Sequence, residues 1–166
     1  MDLESIPDKK IYISRKHIPD RTYGSIKRLP FSDDNRLYDD DILEEYLRSK
    51  GFEIVIPENL ANFEEQINLF SKAKIIVSLT SSGITNCFFM RPGSKLLEIM
   101  SPITSSDFNP DENGECTGMQ SLHHIYVGLA FLKSHTYIGI PNWTRHSQDI
   151  INYIEERDFL KRLLDE

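Results

Sequence analysis

The residues best suited to chemistry lie in one short stretch, Thr80-Ser81-Ser82-Gly83-Ile84-Thr85-Asn86. It follows directly on an apolar run, Ile75 to Leu79, and leads into the helical spacing of Ile84, Cys87 and Phe88. A turn of this kind opens a helix with no Asp or Glu in its first turn, so the chain leaves the positive end of the helix dipole unneutralised. Backbone N–H groups, hydroxyls and a glycine placed there suit an external anion such as a phosphate. The same residues equally suit an ordinary strand-to-helix turn in which Ser81 or Ser82 caps the helix. Two other features supply complementary groups. Arg15, Lys16, Arg21, Lys27, Arg28 and Arg36 concentrate positive charge in a chain of net charge −7, which serves either surface solubility or the focusing of an anionic ligand. Glu98 lies in a second apolar run, Lys95 to Ile99, where a carboxylate can accept hydrogen bonds from ribose hydroxyls.

Other chemistries lack their residues. Cys87 and Cys116 form no metal pattern and no disulfide framework, and Cys87, inside an apolar helix, reads as a small buried hydrophobe. His123 and His124 are adjacent, so a helix directs them apart, one to solvent and one into packing, rather than to a shared metal. No Gly-x-Gly-x-x-Gly follows the first strand and no Gly-Lys-Ser/Thr occurs, which disfavours dinucleotide redox chemistry and nucleoside-triphosphate hydrolysis. No serine nucleophile elbow is present. The absence of a long basic run argues against nucleic acid as the main partner. No stretch approaches the ~18 apolar residues of a membrane span, and the polar amino terminus does not read as a signal peptide. As given, the chain is expected to be cytoplasmic, although a longer parent could be membrane-anchored. The sequon Asn142-Trp143-Thr144 matters only in a secreted chain.

These groups need elements to hold them. At 166 residues the chain is expected to form a single domain, 1–166. Residues 1–9 read as a leader, and residues 16–38 and 100–117, rich in turn formers, as long loops. Between them, strands are expected at Lys10–Ser14, Phe52–Ile56, Ile75–Leu79, Lys95–Ile99 and Thr136–Ile140. A helix over Asp39–Lys50 carries acids in its first turn, Arg48 and Lys50 in its last, and Gly51 as a C-cap. Its stripe is Ile42, Leu43, Tyr46 and Leu47. Asn62 with Glu65 makes a capping-box-like start for a helix running to about Ala73, with Phe63, Ile67 and Phe70 facing in. Gln120–Lys133 is a helix with Leu122, Ile125, Leu129 and Leu132 at core spacing. Asp149–Ile154 fits a short strand or a helical turn, and Glu155–Leu164 is a terminal helix with Phe159, Leu160, Leu163 and Leu164 turned inward. Alternation of this kind predicts an α/β fold, a Rossmann-like open parallel sheet with helices on both faces. In such sheets ligands sit outside the carboxyl ends of the strands. That rule gathers Arg15, the Thr80–Gly83 turn and Glu98 into one crevice, and the residues by themselves lead as far as a phosphate-bearing ligand, a nucleotide first among them.

An ordered series of blocks takes the reading further: Ile11-Tyr-Ile-Ser-Arg15, Lys50-Gly-Phe-Glu53, Phe63-Glu-Glu-Gln66, Ala73, Ser82-Gly-Ile-Thr-Asn86, Phe89-Met90-x-Pro92-Gly-Ser94 and Glu98-Ile99. Together they resemble the carboxyl-terminal domain of glycosyltransferase family 61, over about residues 10 to 100. The resemblance implies one half of a GT-B-type enzyme, a hexosyl- or pentosyltransferase that transfers sugar with inversion and without an essential metal. It implies a nucleotide-sugar donor, with a UDP-sugar expected, and a glycan or protein acceptor, but no separate cofactor. By position, Arg15 and the turn Ser82, Gly83, Ile84, Thr85 and Asn86 would neutralise the diphosphate, with Thr80 and Ser81 at its head. Arg36 resembles the family's second arginine, at a longer spacing from Arg15 than usual. Gln66 and Glu98 match family positions, and Glu98 is the candidate for the donor ribose. The family usually reads His-Gly-Ala-Gly-Leu-Thr-Asn at the turn. Thr80 therefore stands where a histidine is usual, and Ser81 where a glycine is. Threonine can donate a hydrogen bond but can neither act as a base nor carry charge, which leaves His17 or another domain to supply what the histidine does. A GT-B enzyme also needs a second half, so a partner domain or a homodimer is expected for transfer. The alternative is a non-catalytic nucleotide- or sugar-binding module that retains the fold.

Overall fold

A computed structural model describes residues 6–14, 40–100, 120–140 and 146–165, without the side chains of residues 120–124 and 163–165. Five strands, β1 (Lys9–Ile13), β2 (Glu53–Val55), β3 (Ala73–Leu79), β4 (Lys95–Ile99) and β5 (Thr136–Ile140), form one sheet. All pairings are parallel and the order is β2-β1-β3-β4-β5. A parallel sheet covered on both faces demands apolar residues on both sides of its central strands, and β3 meets that demand with Ile75, Ile76, Val77 and Leu79, all buried. Helices α1 (Asp40–Ser49) and α4 (Ser147–Glu156) pack one face through Leu43, Leu47, Ile150 and Ile154 against Tyr12, Val77 and Leu97. Helices α2 (Phe63–Ser71) and α3 (Gln120–Leu132), with a 3-10 segment Ser82–Phe89, cover the other through Phe70, Tyr126, Ile84 and Cys87 against Ile11, Ile13, Ile76 and Leu96. The chain is a Rossmann-like α/β fold.

Local signals account for the helix ends. Gly51 takes φ +84°, its N–H donates to the Arg48 carbonyl, and the N–H of Phe52 reaches Leu47; this is a Schellman stop, which a residue with a Cβ adopts only under strain. Asn62 Oδ1 accepts from the Glu65 N–H at 2.9 Å, but the Glu65 carboxylate bonds the N–H of Ala61, one residue outside the cap. The strand begins at Lys9, inside the stretch expected as a leader: Lys9 pairs with Ala73 and its ammonium bridges Glu53 at 2.6 Å. Both long loops fall almost wholly outside the described residues, as do Arg15, His17, Arg36, Cys116 and the sequon at 142–144.

Four expectations change. The stripe of α3 is only in part the one expected: Leu129 packs against the core, but Leu132 is 77% exposed and Ile125 half exposed, while Tyr126 and Ala130 are buried. Apolar residues surround this helix, with Val127 and Phe131 also exposed, so periodicity alone does not select the buried face. Tyr126 selects it, because a buried phenol needs an acceptor and finds the Ser81 carbonyl at 2.7 Å. Phe63, expected inside, is 63% exposed and lies edge-on to Phe89 at 5.5 Å. On α1, Ile42 is largely exposed and Glu44 is buried instead, accepting from the Ser14 hydroxyl. Residues 149–154 belong to α4, whose Ile150, Ile151 and Ile154 are all buried. The chain then breaks at Asp158, φ +51°, before α5 (Phe159–Asp165) turns Leu160 inward.

His135, at the entry to β5, is buried and ties the sheet to the 3-10 segment: its Nε2 lies 3.0 Å from the Cys87 carbonyl. An N–H must point at that oxygen, and Nδ1 is buried with no hydrogen-bond partner among the described residues. Burial pushes the imidazole below its ordinary 6.5, against the pull of the Cys87 hydrogen bond. A histidine lowered in the folded state binds its proton more tightly when unfolded, so its stabilising contribution is complete above pH 6.5 and is lost as the pH falls towards the folded value. Between pH 7.5 and 5.5 the melting temperature is expected to fall, and to fall less in His135→Gln, which keeps a donor without titrating; equal slopes in the two proteins would contradict this.

Candidate functional site

In a sheet of order 2-1-3-4-5 the connections reverse direction between β1 and β3, and the crevice outside their carboxyl ends is the natural ligand position. Ser14 ends one side of it, and Thr80-Ser81-Ser82-Gly83 forms the other. The two sides touch. A Cβ on Gly83 would lie 2.9 Å from Ile13 Cγ2, so only glycine lets the turn settle onto the last residue of β1 without a shift.

The turn itself is held by its carbonyls. The Ser81 oxygen accepts from the Tyr126 hydroxyl and from the Ile84 N–H; the Ser82 oxygen accepts from the Thr85 hydroxyl at 2.6 Å; the Gly83 oxygen accepts from Asn86 Nδ2 at 2.9 Å. Asn86 Oδ1 in turn accepts from Gln66 Nε2 of α2. These bonds back onto the third preceding residue compete with an α-helical ladder, and the segment is a 3-10 helix of eight residues, long for that form. Ser81 is its N-cap by backbone geometry, with no side-chain cap bond, so the side-chain capping expected there is absent. The donors above occupy three successive carbonyls, while the N–H groups of Ser82 and Gly83 have no acceptor among the described residues. No acid lies in the first turn.

Behind the turn stands Glu98, with no surface exposed. Register places it in one row across the sheet with Ile13, Ser78 and Gly139. Its Oε1 accepts from the Thr80 hydroxyl and its Oε2 from the Tyr137 hydroxyl, each at 2.6 Å. Burial first, and then the neighbouring Glu98, hold the Tyr137 phenol well above its ordinary range, so it remains a donor. Thr80 is itself buried, and its N–H donates to the Ile99 carbonyl at 3.0 Å. Cys87, a buried residue of the segment, is pushed up to about 11 by burial, with Lys133 pulling the other way, and serves as packing.

A sequence model of the family described as Glycosyltransferase 61 matches residues 1–97, more than half of the chain. The chain belongs to glycosyltransferase family 61. Its general function is therefore that of a glycosyltransferase. Compared with curated proteins, it gives no significant match. The family 61 segment runs from β1 through the 3-10 segment and most of β4, ending one residue before Glu98. Of the residues singled out from sequence, Thr80, Ser81, Ser82, Gly83, Thr85, Asn86 and Glu98 come together at one end of the sheet. Arg15 and Arg36 lie outside the described residues. Among the described residues, no group of three or more His, Cys, Asp and Glu is placed to hold a metal ion, and no helix is long and apolar enough to cross a membrane. Sequence reasoning missed Tyr126 and Tyr137. Neither has a motif, and each is found only through the acceptor that its hydroxyl requires.

Gly83→Ala is expected to lose about 1–3 kcal/mol, the usual range for overpacking, in urea melts. In combination with Ile13→Ala the losses should be less than additive, since the second change removes the methyl that the new Cβ meets. Strict additivity would show that the turn does not rest on Ile13.

Proposed function

We propose that this chain is the donor-binding domain of a family 61 glycosyltransferase, one half of a GT-B-type enzyme that holds a nucleotide sugar by its diphosphate. The observation that carries this reading is the Thr80–Gly83 turn at the reversal between β1 and β3, with three of its carbonyls occupied by donors and two N–H groups left to donate. A UDP-sugar is the donor favoured by the family. In an inverting transfer the acceptor hydroxyl attacks the anomeric carbon, the bond to the diphosphate oxygen breaks, and the electron pair leaves with that oxygen. Backbone donors and an arginine aimed at the departing diphosphate are what a transfer without a metal requires. Ser82 and Gly83 would supply the backbone donors, and Arg15, following β1, the charge. Arg36 is the second cation of this proposal. Glu98, with both oxygens accepting from protein hydroxyls, acts here by ordering the turn rather than by meeting the ribose directly.

Thr80 cannot take the acceptor proton, so the general base belongs to another domain or to a partner, either a second copy or a separate GT-B half. The same residue favours a second reading, a non-catalytic binding module, because its hydroxyl is committed to Glu98. Sugar transfer or donor hydrolysis by the chain would exclude that reading.

Titration calorimetry with UDP, GDP, CDP and their sugar derivatives is expected to give micromolar binding to one nucleotide class. Arg15→Ala should weaken it roughly tenfold or more, the loss expected for a hydrogen bond between charged groups, and added salt should weaken the wild type more than the variant. No binding across the panel would overturn the proposal.

A further inference from the structure

We infer that Tyr137 is a positioning residue for the donor turn: it fixes the Glu98 carboxylate and, through it, the Thr80 hydroxyl at the head of Thr80–Gly83. The inference rests on the reading of that turn as the diphosphate site. Tyr137 lies 40 residues beyond the end of the family 61 segment at residue 97, on a strand for which no functional role has been drawn.

The geometry is specific. Tyr137 pairs in register with Leu96, and Gly139 with Glu98; residues two apart on a strand share a face. The ring of Tyr137 therefore has to run along β5, past position 139, to reach Glu98. Gly139 makes that path. A Cβ there would lie 3.2 Å from the Tyr137 hydroxyl and 3.2 Å from Met100 Sδ, tighter than ordinary packing. Its φ is not in the left-handed region, so room for the phenol, not backbone conformation, is what this glycine provides. The 2.6 Å bond to Oε2 and the 2.6 Å bond from Thr80 to Oε1 then hold the carboxylate from opposite ends. Removing one donor weakens the hold on the buried carboxylate, and a rotation of the carboxylate draws the Thr80 hydroxyl with it. Thr80 is one peptide from Ser81, whose carbonyl is already anchored by Tyr126. Thr80 and Tyr126 thus hold the start of the turn from two sides, and loosening the first removes one of the two holds that set the Ser82 and Gly83 N–H groups.

The test uses the full chain with UDP, GDP and CDP as probes, at a temperature well below each variant's melting point. Tyr137→Phe keeps the ring and removes only the hydroxyl. Its affinity for the nucleotide bound by the wild type should fall by about three- to tenfold, a fraction of a full charged hydrogen bond, with the amide resonances of Ser82 and Gly83 displaced. Thr80→Val should give a similar loss, Thr80→Ser should keep wild-type affinity, and the double variant Thr80→Val/Tyr137→Phe should bind no worse than about the weaker single variant, because both act through one carboxylate. Wild-type binding with an unchanged Tyr137→Phe affinity would overturn the inference and leave the donor-site reading standing. Strictly additive losses would also overturn it, since Tyr137 would then act independently of Thr80. No binding by the wild type would overturn the donor-site reading itself. If Tyr137→Phe fails to fold, Gly139→Ala crowds the same hydroxyl with Tyr137 in place; weaker binding with displaced Ser82 and Gly83 amides is expected, and unchanged binding would count against the inference.

Discussion

Glu98 has no surface exposed to water, and a carboxylate in that position is tolerated only where donors satisfy it. Two hydroxyls do so, from β5 and from the residue that follows β3. An apolar residue at position 98 would pack the same row of the sheet without needing either donor, and a buried ionic group is often no more stabilising than its apolar replacement. What the carboxylate adds is direction. It requires Thr80 to point across to β4, and it does so where the chain leaves the sheet to begin the 3-10 segment. Much of the site's order follows from that requirement.

Tyr126, Thr85 and Asn86 donate to successive carbonyls of the turn, and Gln66 holds Asn86 from α2. Two helices and the 3-10 segment itself thus fix the carbonyls of Ser81, Ser82 and Gly83. Backbone amides held by such a network can face a developing negative charge without reorganising, which is where electrostatic stabilisation of a leaving group is most effective. The segment that carries the amides is accordingly a long 3-10 helix, not an α-helix.

The strands and their parallel arrangement were legible because β3, β4 and β5 are short apolar runs bounded by turn formers, and β4 and β5 fall at Lys95–Ile99 and Thr136–Ile140 as expected. The turn was legible too, since hydroxyls, glycine and missing acids are local features. Its supports were not. Tyr137 is separated from Glu98 by 39 positions and Tyr126 from Ser81 by 45, and only strand register and helix docking bring them together. The same limit explains α3. Apolar residues surround that helix, so the hydroxyl of Tyr126, and not the count of apolar residues, decides which face is buried. Glu98 shows the limit in another form: its type and place suggest a ligand contact, whereas the two hydroxyls that donate to it become visible only through strand register and the path of the chain after β3.

Threonine at position 80 bears on the division of labour in the reaction. A histidine there would titrate near neutral pH and could exchange a proton with substrate. Thr80 and Tyr137 do neither in that range, the phenol being held above its ordinary value by burial and by Glu98. Protonation of the two hydroxyls facing Glu98 is therefore constant across physiological pH. A site built in this way is suited to holding a diphosphate in one place, not to moving protons. Proton transfer from the acceptor then has to be supplied from outside the turn, whereas stabilisation of the leaving diphosphate can be supplied by the turn itself. Those two tasks make different physical demands, one needing a group that titrates and the other groups that do not move.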